Sequence, residues 1–222
     1  MAVLFSQRPY GLTVTDIDGN IYRTVTIGRQ VWMRENLKVT RYCNGDTIAT
    51  IKPDTIDLTN IQSPSYQWAY MGDERNVAVN GRLYTWFVVD DRRQLCPKGW
   101  HIPSDEEFCV LENYIEPDAD TDCKKTGHRG RNTGGMLKEA GLSHWTEPNS
   151  GADNRSRFTG LPCGVRYQAG VFTFLGSYGY FWTNTSRDST MAWTRRLYHD
   201  KADVSRACYF KKDSFSVRCL KD

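Results

Sequence analysis

The segment ACYFKKDSFSVRC, Ala207–Cys219, holds the key to the chain. Its last six residues, SFSVRC, alternate Phe215, Val217 and Cys219 with Ser216 and Arg218, the period of a strand. The residues before them, ACYFKKD, place a cysteine, two aromatics and two lysines side by side with no period of 2 or 3.6. The pattern reads as a regular scaffold strand preceded by a chemically mixed binding surface.

Upstream, the chain is β in character from Phe158 onward: FTGLPCGVRY, GVFTFLG, GYFWTNT, AWTRRLY, ACYF and SFSVRC, separated by glycines or polar clusters. Before that lies LCPKGWHIPSDEEFCVLENYI. Ser104 can cap a helix there, with Glu107 closing a capping box. Phe108, Leu111 and Ile115 give that helix one apolar face. A second helix is expected over 132–141, with Met136, Leu137 and Ala140 inside and Gly141 as the stop. GRLYTWFVVD, 81–90, is a buried helix or a buried strand, since length alone does not separate the two. Residues 41–80 are polar and loop-rich. Residues 14–40 open with a hairpin whose turn, DIDGN, places Asp18-Gly19 at positive φ. Val14 and Ile17 are expected on one side, with Ile21, Val25, Ile27, Val31 and Trp32 on the other. A second short hairpin follows at Gly28-Arg29-Gln30. The fold class expected is α+β: early strands, two helices, long loops and a twisted antiparallel sheet. Residues 1–13 are read as an N-terminal arm and 14–222 as a single domain.

The 222 residues can bury a real core. Aromatic residues make up 13% of the chain, and Trp and Tyr are favoured anchors of binding surfaces. A net charge of +3 with no basic stripe argues against nucleic acid. No apolar run suits membrane insertion. MAVLFSQRPYG lacks the basic and apolar regions of a signal peptide, so a virion protein needing no secretion signal is one expectation, and a leader removed from the chain another. The seven cysteines form no CxxC pair, which argues against zinc. KKTGHRGRNTGG, 124–135, lacks a phosphate-loop ending and is expected to be a solvated, mobile loop. His101 is expected to be a buried hydrogen-bonding residue.

The order TDIDGNIYRTVTIGRQVWMRENL, GRLYTW, LCPKGWHIPSDEEF, FTGLPCGVR, GYFWTNT and SFSVRCLKD resembles the Fibrobacter succinogenes major paralogous domain, over roughly residues 14–222. CPKGWHIPS and FSVRC are its most specific pieces. The resemblance implies a C-type-lectin-like fold, of the branch that includes formylglycine-generating enzymes: a loop-topped, twisted antiparallel sheet, two flanking helices and neighbouring chain ends. It makes Cys96 and Cys219 neighbours, either disulfide-bonded or both reduced.

The family also supplies variable proteins diversified by retroelements, in which asparagine codons are randomised at their first two bases within a fixed strand framework. Thr194, Arg196, His199, Asp200, Asp203, Ser205, Ala207, Cys208, Tyr209, Phe210, Asp213 and Ser214 belong to the residue types such codons yield. Ala192, Arg195, Leu197, Val204, Arg206 and the FSVRC end look like framework. Trp193, Tyr198, Tyr209 and Phe210, clustered with arginines and lysines, carry the usual chemistry of rigid binding surfaces. The expected site is therefore a ligand-binding face over 183–214, made of these codon-compatible residues together with Trp193. The expected function is a non-enzymatic adhesin or phage receptor-binding protein. Its partner would be a protein or glycan receptor on a cell surface, and a homo-oligomer would present several copies.

Two kinds of site chemistry compete with that reading. Glu147-Pro148-Asn149 matches the tripeptide of calcium-dependent, mannose-type lectins, with Asp153 and Asn184 as loose companions, so calcium is the cofactor the sequence offers. An oxidase of the formylglycine-generating type would need copper and a reactive cysteine pair, for which Cys208, beside Lys211 and Lys212, and Cys219 are the late cysteines. A structural module of the cell envelope is the remaining alternative.

Overall fold

The structure, a computed structural model, describes residues 12–117 and 122–222. Most of the N-terminal arm, residues 1–11, lies outside the described residues, and Thr13 already belongs to a strand. In chain order the strands are β1 Thr13–Thr15, β2 Ile21–Ile27, β3 Gln30–Met33, β4 Gln67–Trp68, β5 Leu83–Thr85, β6 Trp100–His101 and β7 Gly127–Arg129. They continue as β8 Cys163–Arg166, β9 Phe172–Leu175, β10 Tyr178–Ser186, β11 Met191–Tyr198, β12 Val204–Phe210, β13 Ser214–Phe215 and β14 Leu220–Lys221. The helices are α1 Val77–Asn80, α2 Trp86–Val89, α3 Asp105–Ile115 and α4 Thr133–Leu137. The architecture is mostly β, with a few short helices and an antiparallel sheet that curls around its contents.

One sheet runs β1-β2-β3-β14-β6, so the first and last strands among the described residues share it. The other runs β4-β5-β13-β8-β10-β11-β12-β7, with β9 on β8. All ladders are antiparallel except the short parallel contact between β8 and β10. The DIDGN turn forms: Asp16 Oδ1 accepts from the backbone N–H groups of Asp18 and Asn20, and Gly19 takes φ +85°, whereas Asp18 does not take a positive φ. The expected sides of this hairpin need correction. Ile17 and Ile21 are exposed, and β2 turns Tyr22, Thr24 and Ile27 inward instead.

Helix α3 starts at the expected capping box. Ser104 Oγ accepts from Glu107 N at 3.1 Å, and Glu107 Oε2 accepts from Ser104 N at 2.7 Å. Phe108 and Leu111 are buried against Trp32, Phe158, Phe181, Leu197 and Val204. The second helix is much shorter than expected, because Lys138 leaves the helical region at ψ 153°. There its buried ammonium donates to the carbonyls of Ser150, Tyr198 and Lys201 at 2.7–2.9 Å. Burial pushes this ammonium down to about 8. Ala140 is exposed rather than inside. The ambiguous run 81–90 resolves into both candidates, strand β5 followed directly by helix α2.

The SFSVRC end is not a strand with one wet face. Ser214, Ser216 and Arg218 have no accessible surface, like Phe215, Val217 and Cys219. The segment passes between two packed layers. Phe215, Val217 and Cys219 join the core of Tyr84, Trp86, Tyr180 and Trp182. Arg218 turns the other way: Nε and Nη2 donate to Asn36 Oδ1, Nη1 to the Phe158 carbonyl and Nη2 to the Thr159 carbonyl. Cys219 is bonded to Cys96, so the disulfide alternative holds. Cys109 and Cys123 form a second disulfide, which leaves Cys43, Cys163 and Cys208 free.

Behind the long hairpin, α3 and three arginines form a buried ion cluster. Arg195 and Arg206 both reach Asp105, at 2.5 and 2.7 Å. Arg195 also pairs with Glu112, which Arg129 approaches at 3.0 Å. Burial works against the charge of Asp105, but its bonds to Arg206 and Arg195 hold the carboxyl below the ordinary 3.8. Its contribution to stability is therefore complete above that unfolded value and is lost as pH falls through the folded one. Asp105→Asn should cost about 3–5 kcal/mol at neutral pH by leaving two buried guanidinium groups short of countercharge. It should also flatten the acid limb of the stability curve. Chemical denaturation of both proteins from pH 2 to 7 checks this, and superimposable curves would overturn it.

Candidate functional site

The long hairpin β10–β11 and its neighbour β12 carry most of the expected ligand-binding residues. Register pairs Trp182, Thr194 and Ala207 across the sheet, then Tyr180, Arg196 and Ser205, while Ala192 faces Tyr209. Opposite neighbours share a face. Thr194, Arg196, Ser205, Ala207 and Tyr209 thus stand on one face with Tyr178, Tyr180 and Tyr198. The alternate residues Arg195 and Arg206 stand on the other, toward α3, as do Phe181, Trp193 and Cys208. ACYF is therefore regular in conformation: it is the second half of β12, and its mixed chemistry comes from two faces read along one strand.

Burial divides the expected set. Thr194 and Ser214 have no accessible surface, and Ser205 and Asp213 are nearly as deep, which corrects their reading as ligand-facing. Thr194 Oγ1 donates to the Ala207 carbonyl at 3.0 Å inside the sheet. Asp213 Oδ1 accepts from Gln168 N at 2.8 Å in the turn before β13. Phe210 and Asp200 are exposed; Arg196, His199, Asp203, Ala207, Cys208 and Tyr209 are half-buried. His199 Nδ1 donates to the Glu147 carbonyl at 3.0 Å, and Asp203 pairs with His128 at 2.9 Å. Trp193 is half-buried under the Arg206 guanidinium, 3.4 Å from its ring centroid, so it belongs to the support behind the face.

At the centre of the face, Arg196 Nη1 donates to Tyr209 Oη at 2.7 Å and to Tyr180 Oη at 3.4 Å, while Nη2 donates to Tyr198 Oη at 2.5 Å. Tyr167 adds a hydrogen bond to Tyr180. Sequence reasoning singled out Arg196, Tyr198 and Tyr209 but missed Tyr167, Tyr178 and Tyr180. The last two repeat at period 2 in SYGYFW, a legible signal.

The competing chemistries fare differently. The Glu147–Pro148 peptide is cis, as a lectin-type tripeptide requires. However, Glu147 is exposed, whereas the buried Asn149 amide donates to the carbonyls of Glu139 and Gly141 at 2.9 and 2.7 Å. The Asn149 Oδ1 is buried and has no hydrogen-bond partner. Among the described residues, no group of three or more His, Cys, Asp or Glu is placed to hold a metal ion. Cys219 is tied to Cys96 and cannot pair with Cys208. The Cys208 thiol accepts from Arg187 Nη1 at 2.8 Å, whereas Lys211 packs on Trp86 and Lys212 reaches the Thr59 carbonyl. His101 is half-buried and bonds Asp222 at 2.7 Å and Glu107 at 2.9 Å; burial disfavours its charge, but these carboxylates raise its pKa. The 124–135 segment is not a solvated loop: β7 pairs with β12, and Arg129 is buried.

These features sit in a chain that matches a recognised family. The Fibrobacter succinogenes major domain model covers residues 25–221, and the chain belongs to this family. No curated protein and no solved structure matches the chain. Among the described residues, no helix is long and apolar enough to cross a membrane.

Burial pushes Asp213 up to about 7. For an acid raised in the folded state, stability is complete below the unfolded value of 3.8 and declines as pH rises through the folded one. Asp213→Asn should therefore change thermal stability little at pH 3.5 and raise it increasingly up to pH 7, with a constant gain beyond. Melting curves across that range check this; a gain independent of pH would exclude Asp213 as the titrating group.

Proposed function

We propose that this domain is a non-enzymatic recognition module, an adhesin or receptor-binding protein acting at a virion or bacterial surface. The observation that supports this best is the division of β11 and β12 into two faces. Arg195 and Arg206 anchor one face to α3 through Asp105, while Arg196, Ala207 and Tyr209 keep partial access to solvent on the other. Side chains on such a face can change without disturbing the support, and a preformed face keeps the ordering cost of binding low.

The finer readings belong to this same proposal. The curled antiparallel sheet, the capped helix α3 and the shared sheet of first and last strands favour a C-type-lectin-like fold. The alternation of framework and exchangeable residues along β11 and β12 favours diversification by a retroelement. This reading assigns to ligand contact Arg196, Ala207 and Tyr209 on the tyrosine face, His199, Asp200 and Asp203 in the turn after β11, and Cys208 and Phe210, which reach solvent from the opposite side of β12. The partner is a receptor on a cell surface, met by several copies of the domain where single-site affinity is weak.

Two measurements test the proposal. Exchanging Ala207, Cys208, Tyr209 and Phe210 for other residues from the same codon set should leave the melting temperature within a few degrees but abolish attachment to the host cell. Retained attachment would overturn the assignment. The DNA downstream of the gene should carry a near-copy of the codons for residues 183–219, with mismatches at template adenines and a neighbouring reverse transcriptase gene. Its absence would remove the diversification reading.

A further inference from the structure

Arg129, Arg195 and Arg206 each face a carboxylate, whereas Arg196 faces phenols. Tyr178, Tyr180, Tyr198 and Tyr209 surround its guanidinium, with ring centroids 4.5–6.0 Å away. Its Nε is shut off from solvent and has no acceptor. Burial pushes the Tyr180 and Tyr209 phenols above their ordinary range, so both are neutral at physiological pH. The cage thus holds a positive charge, and among the described residues no carboxylate forms an ion pair with it. A partly desolvated charge in this position gains from an external anion.

With Nε closed off, an anion entering past the partly exposed Arg196, Tyr178 and Tyr209 would meet the Nη1–Nη2 edge and take over the bonds now made to Tyr209 and Tyr198. A guanidinium fork matches a carboxylate with two parallel bonds. The surroundings are ring faces and hydroxyls. Phe174 is 37% exposed, and its ring centroid lies 4.6 Å from that of Tyr178. The His199 ring centroid lies 6.2 Å from that of Tyr178. A pyranose ring can lay its C–H face on such rings and exchange hydrogen bonds with the tyrosine hydroxyls. All four rings of the cage are phenols, so each stacking surface carries a hydroxyl that suits a polyhydroxy ligand.

We propose that the β10–β11–β12 face binds an acidic sugar, a hexuronate unit of a surface glycan, with its carboxylate on Arg196. This rests on the recognition reading above and names the chemistry of its ligand. Isothermal titration of the whole chain with oligogalacturonate and oligoglucuronate tests it, against neutral oligomers of the parent hexoses and an oligoglutamate peptide. The expected result is binding of at least one hexuronate oligomer, with the neutral oligomers and the peptide much weaker. Arg196→Gln should weaken binding about 10- to 100-fold, the effect of losing a hydrogen-bonded charge contact. Tyr209→Phe, which keeps the packing, should weaken it by a smaller factor and stands in if Arg196→Gln fails to fold.

Equal binding of acidic and neutral oligomers, no binding of either hexuronate, preference for the peptide, or hexuronate binding unaffected in the folded variants would each overturn the proposal. If the hexuronates fail while exchange of residues 207–210 still abolishes cell attachment, the sugar assignment falls and the recognition reading stands. If that exchange leaves attachment intact, the recognition reading falls as well.

Discussion

The buried guanidinium of Arg218 is the point on which the two sheets close. It has no accessible surface and no carboxylate partner among the described residues. Burial pulls it down to about 10, still charged at neutral pH. Such a charge is tolerable only when its donors are satisfied. Asn36 supplies acceptance from the N-terminal sheet side, and the carbonyls of Phe158 and Thr159 from the segment before β8. The Phe158 ring covers the guanidinium face, centroid 4.2 Å away. One side chain therefore joins three distant parts of the chain. On either side of it, β13 enters one sheet and β14 the other, and Cys219 is fixed to Cys96.

That closure has a functional consequence. With the chain end locked between the layers, Phe215 is held under Tyr180 at 4.8 Å and under Tyr209 at 5.2 Å. The tyrosine face thus rests on the same segment that closes the fold. From the opposite side, the Asp105–Arg195–Arg206 contacts pin β11 and β12 to α3. The hairpin is held from both sides, and its freedom lies in side chains rather than backbone. On the recognition reading proposed above, such a surface could vary in chemistry while its geometry stays constant.

The same period-2 geometry explains what was hard to read in the chain. Ala207-Cys208-Tyr209-Phe210 looked patternless because both faces of β12 are partly buried: one supplies ion pairs to α3, the other packs tyrosines around Arg196. SFSVRC misled in the opposite way. Its alternation is real, but Ser214, Ser216 and Arg218 meet protein rather than water. Likewise KKTGHRGRNTGG gave no sign that Arg129 would be drawn inside by Glu112, because the partner lies on a helix elsewhere in the chain.

The sequence by itself determined the local structure: the Asp16–Asn20 turn, the Ser104 capping box and the succession of strands from Cys163 onward. It also pointed to the family, through CPKGWHIPS and FSVRC, and to Arg196, Tyr198 and Tyr209 as residues of interest. These signals depend on neighbours within a few positions, where propensity, capping and turn chemistry act. Only the tertiary structure decided which polar residues are buried, that Lys138 ends α4 to meet three carbonyls, and that Tyr167, Tyr178 and Tyr180 gather at Arg196. Those outcomes depend on contacts between segments far apart in the chain and on strand register, which the local pattern specifies weakly where both faces of a strand are partly buried.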